Sequence, residues 1–100
     1  METVVTLDSL NKDRRAEILR LADLHGAHNL RVFGSVARGE AHADSDLDLL
    51  VAWDPGRSLM DHAELVDDLQ SLLGMKVHIG TDMALHWYVR EKILREATPL

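Results

Sequence analysis

The chain of 100 residues carries 17 acidic and 11 basic side chains, for a formal charge of -6, with 46% apolar and 28% charged residues. That length fits one domain spanning residues 1–100 and excludes an enzyme built from separate catalytic and substrate modules. The acidic balance argues against direct nucleic-acid binding, which draws on Lys and Arg for phosphate contacts. The absence of cysteine rules out disulfides, thiolate-bound metals and a thiol nucleophile. No apolar run approaches the roughly 20 residues that cross a bilayer, so no membrane partner is expected. The opening METVVTLDSLNKDRR is acidic before it is basic, unlike a secretory signal, and the expected location is cytoplasmic.

In chain order, Asp8 or Ser9 is a plausible N-cap for a helix carrying Leu10, Ile18, Leu19, Leu21 and Ala22 at helical spacing up to Gly26. Asn29 to Phe33 reads as a strand that stops at a sharp turn at Gly34, and Ser35 to Arg38 as one or two helical turns. Asp46 to Trp53 is the strongest strand, with Leu47, Leu49 and Val51 on one face and Asp46, Asp48 and Leu50 on the other. Asp54-Pro55-Gly56 ends it. Ser58 caps a helix that runs through Leu65, Leu69 and Leu73 to Gly74, and Met75 to Ile79 makes a third strand. Leu85, Val89, Ile93, Leu94 and Ala97 predict a last helix over Met83 to Ala97, before Pro99. Trp87 and Tyr88 within it read as core or boundary packing. Helices and strands alternate, which predicts an α/β or α+β layer with helices over a three-stranded sheet.

The chemistry-bearing residues cluster. Side chains two apart on a strand point the same way, about 6–7 Å apart, so Asp46 and Asp48 present two carboxylates to one spot while Leu47 anchors the opposite face. Paired hard oxygen donors suit a divalent cation, and magnesium with phosphate oxygens completing its shell is the natural occupant. Gly34-Ser35 before a short helix supplies the partner such a site needs: no side chain at 34 to block approach, a hydroxyl at 35, and amides at a helix start. Other readings fail on spacing. Asp44-x-Asp46-x-Asp48 opens like an EF-hand loop, but Leu49 stands where the loop needs Gly and Pro55 where it needs Glu. Phe33 and Ala37 stand where a nucleophile elbow needs glycines around Ser35. The histidines at 25, 28, 42, 62, 78 and 86 match no zinc spacing.

Together, Phe33-Gly34-Ser35-Val36-Ala37-Arg38-Gly39-Glu40 and Ser45-Asp46-Leu47-Asp48-Leu49-Leu50-Val51 resemble the minimal nucleotidyltransferases of the DNA polymerase beta-like superfamily. Lys76-Val77-His78-Ile79 and Arg90-Glu91-Lys92-Ile93-Leu94-Arg95-Glu96-Ala97 resemble that family's third strand and closing helix. The resemblance implies an α+β nucleotidyltransferase fold with a small mixed three-stranded sheet. It implies nucleotide binding at Gly34, Ser35 and Arg38, metal binding at Asp46 and Asp48, and catalysis by Asp46, Asp48 and His78. Magnesium is the implied cofactor, with manganese possible, and the implied nucleotide is a nucleoside triphosphate, ATP above all. The implied partner is a HEPN-type ribonuclease toxin, for which this chain is the antitoxin that transfers AMP to a hydroxyl. One position departs from the family pattern: His78 stands where a third carboxylate is usual. A softer, uncharged ligand there favours manganese over magnesium and slows turnover. The alternative reading is therefore an antitoxin that keeps the fold but neutralises its toxin by binding alone.

The chain also spends its sheet on this site and has no second module to recognise an acceptor. The acceptor must bring its own surface, which favours a protein, and an apolar patch around Trp53, Trp87 and Tyr88 is expected for it.

Overall fold

The computed structural model describes residues 4–100; Met1 to Thr3, the first part of the opening stretch read above, lie outside the described residues. The chain starts with helix α1 (Leu7–Ser9), a π-helical stretch over Leu10–Arg14 and helix α2 (Arg15–Leu24). It continues through strand β1 (Ala27–Phe33), helix α3 (Gly34–Arg38), strand β2 (Leu47–Trp53), helix α4 (Leu59–Leu73), strand β3 (Val77–Gly80), helix α5 (Trp87–Glu96) and strand β4 (Thr98–Pro99). The sheet is mixed: β1 runs antiparallel to β2 and to β4, and β2 runs parallel to β3, in the order β3-β2-β1-β4. The parallel pair requires a crossover, which α4 supplies.

The expected three-stranded sheet thus has a fourth strand. β4 is only two residues long, with Thr98 opposite Val32 and Pro99 opposite Arg31, and the Leu100 amide extends the pairing to the Leu30 carbonyl at 3.1 Å. Two residues cannot show a period-2 pattern, and Pro is tolerated there because β4 is an edge strand that needs no second ladder.

Two helix boundaries also differ from expectation. The first helix is capped by Thr6, whose hydroxyl accepts the Ser9 amide while the Ser9 hydroxyl accepts the Thr6 amide, each at 3.0 Å. Ser9 is therefore the reciprocal member of a capping box and not the cap. The expected helix over Met83 to Ala97 is broken. A single 3₁₀ turn covers Asp82–Ala84, the backbone is extended at Leu85 and His86, and only then does α5 begin. The cause is an anchor: Arg31 on β1 donates to both carboxylate oxygens of Asp82, at 2.6 and 3.3 Å, so the turn is tied to the sheet and the chain must change direction before it can form a helix.

One face of the sheet carries the core. Val32, Leu47, Leu49, Val51, Val77 and Ile79 pack with Leu10, Ile18, Ala22, Leu65 and Leu69 from the helices. Ser58 caps α4 as its sequence predicts, with its amide bonded to Asp61 at 2.9 Å, and Gly74 closes it in the left-handed conformation. The opposite face is where register matters. Phe33, Asp48 and His78 lie in one row across β1, β2 and β3, and Arg31, Leu50 and Gly80 in the next.

Leu65 is fully buried and Leu59, six residues earlier on the same helix, is 82% exposed. Leu65→Ala should therefore cost about 2–5 kcal/mol in urea unfolding, and Leu59→Ala no more than about 0.5 kcal/mol.

Candidate functional site

The site assembles at the sheet end where β1 stops and β2 starts. β1 runs straight into α3 without a loop, and the reversal is made at Gly34, whose φ is +74°. The left-handed conformation disfavours a side chain there, and a Cβ on Gly34 would also force the Asp48 carboxylate to swing aside. Glycine lets the turn and the acidic strand close on each other. Gly34 is buried and Ser35 half-buried at the start of α3, and Arg38 is exposed at its end.

Asp46 and Asp48 arrive from the other side. The segment ahead of them is a self-bonded turn: the Ser45 amide donates to the His42 carbonyl at 2.9 Å, and the His42 amide to the Ser45 hydroxyl at 2.8 Å. Asp46 is the last residue before β2, while Asp48 lies within it, opposite Phe33 on β1 and His78 on β3. His78 Nε2 lies 2.7 Å from Asp46 Oδ2, so the imidazole and the carboxylate share a hydrogen bond. Both groups keep contact with solvent, at 61% and 39% side-chain exposure, so an incoming ligand can reach them. All six residues singled out in the sequence, Gly34, Ser35, Arg38, Asp46, Asp48 and His78, thus come to one edge of the molecule.

The sequence reading missed one contributor. Glu96, at the end of α5, accepts the Gly34 amide at 2.7 Å and Arg38 Nη1 at 3.0 Å, while Glu40 accepts Arg38 Nε at 2.9 Å. The Gly34 amide is therefore not available to a ligand as expected; Glu96 holds it. Nothing local flags this residue, since it stands far along the chain from Gly34 and belongs to an ordinary charged helix end.

Electrostatics follow from this crowding of acids. Burial pushes the Asp48 carboxyl above its ordinary range; His78 opposes the rise, Asp46 adds to it, and Arg38 and Glu96 make smaller opposed contributions. Hydrogen bonds to Glu40 and then Glu96 raise the Arg38 guanidinium further above neutrality, so it remains a cation at any working pH. Asp46, Asp48, Glu40 and Glu96 gather around Arg38, with Lys92 on the groove beside Gly34 and Lys76 beside Asp46. A polyanionic ligand that brings a cation with it meets these acids at lower cost.

Do the residues fit a divalent cation? Two carboxylates on adjacent same-facing positions, one drawn against the glycine turn, form a hard oxygen set of the kind magnesium takes, and His78 adds a nitrogen donor. They fit. Among the described residues, the group whose ligand atoms all lie within 4.8 Å of one another is instead His25, Asp61 and Glu64, at the opposite end of the sheet. Its members are already committed: Asp61 caps α4 and pairs with Arg57 at 3.4 Å, and His25 Nε2 lies 2.8 Å from Asp68 Oδ2. The hydrogen bond between His25 and Asp68 ties the end of α2 to α4.

Trp87 and Tyr88 are not core or boundary packing. They stand 81% and 69% exposed at the start of α5, with His86 against both rings, because the 3₁₀ turn at Asp82 sets the helix start outside the fold. Trp53, expected in the same patch, is half-buried elsewhere and stacked on His62.

Because the Asp48 carboxyl is raised on folding, the native state binds its proton more tightly than the unfolded state does. That contribution to stability is present below the ordinary carboxylate pKa and is lost as pH rises through the folded value. Asp48→Asn should therefore raise Tm by a few degrees at pH 7, and the gain should shrink as pH falls toward the carboxylate range, in thermal melts at fixed salt.

Comparison with known proteins accords with this geometry. The nucleotidyltransferase domain family matches residues 16–100. A solved structure of a candidate minimal nucleotidyltransferase superposes with a TM-score of 0.82 at 53% identity, covering 96% of this chain and 97% of that one. The protein adenylyltransferase MntA of Thermococcus cleftensis is 34% identical over 93% of this chain and 94% of its own length. A chain in the crystal structure of a toxin–antitoxin with AMP-PNP superposes with a TM-score of 0.72 over 86% of this chain and 71% of that one; at 19% identity the likeness is one of fold. With a domain match over most of its length and close relatives across nearly all of it, the chain belongs to the nucleotidyltransferase domain family and folds as a minimal nucleotidyltransferase.

Proposed function

We propose that this nucleotidyltransferase transfers AMP from ATP to a hydroxyl of a partner protein, as the antitoxin of a HEPN-type toxin, with magnesium as cofactor. The observation that carries the reading is the approach of the Asp48 carboxylate to the Gly34 turn, with Asp46 two residues earlier in the chain and bonded to His78 beside it. Support for the acceptor and partner comes from the relatives: one is named a protein adenylyltransferase, and a structure of the same fold is a toxin–antitoxin with AMP-PNP.

In this reading the triphosphate lies along the start of α3, held by the Ser35 amide and hydroxyl and by Arg38. Asp46 and Asp48 would hold magnesium, which would supply neutralisation of the phosphate charge. The acceptor oxygen attacks the α-phosphorus, the new O–P bond forms, and the bond from that phosphorus to the pyrophosphate oxygen breaks. The hydroxyl proton passes to His78: with Nε2–H donated to Asp46, Nδ1 is the basic atom. The protein acceptor docks near the exposed Trp87 and Tyr88 on α5, whose other end carries Glu96 at the site.

The test is calorimetry together with transfer rates. Asp46→Asn with Asp48→Asn should abolish magnesium-dependent ATP binding while the fold survives, since the pair loses its mutual repulsion. His78→Ala should leave that binding largely intact, and His78→Asp should raise magnesium-dependent transfer severalfold. Unchanged ATP affinity in the double variant would remove the metal-site reading. A wild type that transfers faster than His78→Asp would show that the imidazole serves better than the carboxylate it replaces, and would overturn the expectation of a slowed site. Binding without any transfer, in wild type and His78→Asp alike, would favour the antitoxin that acts by binding alone.

A further inference from the structure

Helix α3 begins without a cap of its own. Phe33 occupies the N-cap position and makes no side-chain hydrogen bond to the helix, so the first amides of α3 depend on groups from elsewhere. Glu96 provides the missing acceptor. A single oxygen, Oε1, takes both the Gly34 amide at 2.7 Å and Arg38 Nη1 at 3.0 Å, and the side chain is only 16% exposed, so the carboxylate is held in one place and largely shielded from water.

The consequence for Arg38 is orientation. Glu40 fixes its Nε edge and Glu96 one terminal nitrogen, which leaves the remaining N–H groups of a rigid planar fork pointing in a set direction. The consequence for Gly34 is similar. Glu96 meets Gly34 at its amide, whereas Asp48 meets it where a Cβ would stand, so two carboxylates clamp one glycine from different sides. Val89 and Ile93 of the same helix, both half-buried, border the groove beside Phe33 and Gly34, so α5 runs alongside the turn and brings the carboxylate to it.

We infer that Glu96 is a positioning residue for the triphosphate: from α5 it caps the glycine turn and braces Arg38, presetting the Ser35 amide and hydroxyl and the open edge of Arg38 to receive the phosphates. The inference rests on the nucleotide site proposed above and adds to it a residue from the far end of the chain. It also links the two halves of the molecule, because any displacement of α5, for instance on docking of a partner against Trp87 and Tyr88, would move Glu96 and with it the turn.

The test is calorimetric titration of a non-hydrolysable ATP analogue with magnesium into the full chain, well below each variant's melting temperature. Glu96→Ala should weaken binding about tenfold or more, since it removes the cap and the brace together. Glu96→Gln keeps an oxygen for the Gly34 amide but loses the negative charge that pairs with Arg38, and should weaken binding only a few-fold. Tighter binding in either variant would mean that the carboxylate competes with the phosphates, and would overturn the assignment. Unchanged binding with a lowered Tm would reduce Glu96 to a structural prop and also overturn it. If Glu96→Ala does not fold, Glu96→Gln against wild type decides by the same signs. Failure of the underlying site looks different: wild type would bind no analogue, or would bind it equally well with Asp46→Asn and Asp48→Asn.

Discussion

The close approach of Gly34 to Asp48 is the constraint on which the site depends. β1 must end, reverse and begin α3 within a single residue, so position 34 takes a left-handed φ that favours glycine, and the acidic strand brings the Asp48 carboxylate to where a Cβ would stand. The sheet enforces the approach through register. Phe33 sits opposite Asp48, and Asp48 opposite His78, because Leu47, Leu49 and Val51 must face the core and a one-residue slip would send every one of them to the wrong side. Apolar burial on one face of β2 thereby fixes acid placement on the other.

That placement has an electrostatic cost, and the molecule shows how it is contained. Burial raises the Asp48 carboxyl and Asp46 adds to the rise, while His78, which is bonded to Asp46 Oδ2, opposes it. Arg38 is held by two carboxylates before any ligand arrives. A site so arranged favours a ligand that brings positive charge with its phosphates, which is how a triphosphate and a divalent cation present themselves together. α5 completes the arrangement, because its last residue secures the turn while its first residues, Trp87 and Tyr88, face outward.

Much of this was legible in the residues. The alternation Leu47, Leu49, Val51 against Asp46, Asp48 declared both a strand and its two faces, and Gly34 after an apolar strand declared the turn, since strand period and glycine conformation are local properties. Even the meeting of His78 with Asp46 could be expected, because β3 alternates in step with β2. What escaped was long-range. Glu96 finds Gly34 across the whole site, Asp82 finds Arg31 and thereby breaks the last helix, and Thr98 finds Val32 to make a fourth strand. No local period encodes such contacts. Trp87 and Tyr88 are exposed, as the expected partner patch required and as their reading as helix packing did not, and the same Asp82 anchor is the reason.

The central claim is that this site moves a nucleotide onto a protein. It is tested most directly by incubating the chain with the protein encoded beside it, magnesium and ATP labelled in the α-phosphate, followed by intact-mass and peptide mass spectrometry of both chains. The account predicts that the neighbouring protein gains the mass of an adenylyl group on a hydroxyl side chain, with the label retained. A neighbouring protein of unchanged mass, under conditions where the chain demonstrably binds ATP, would contradict it.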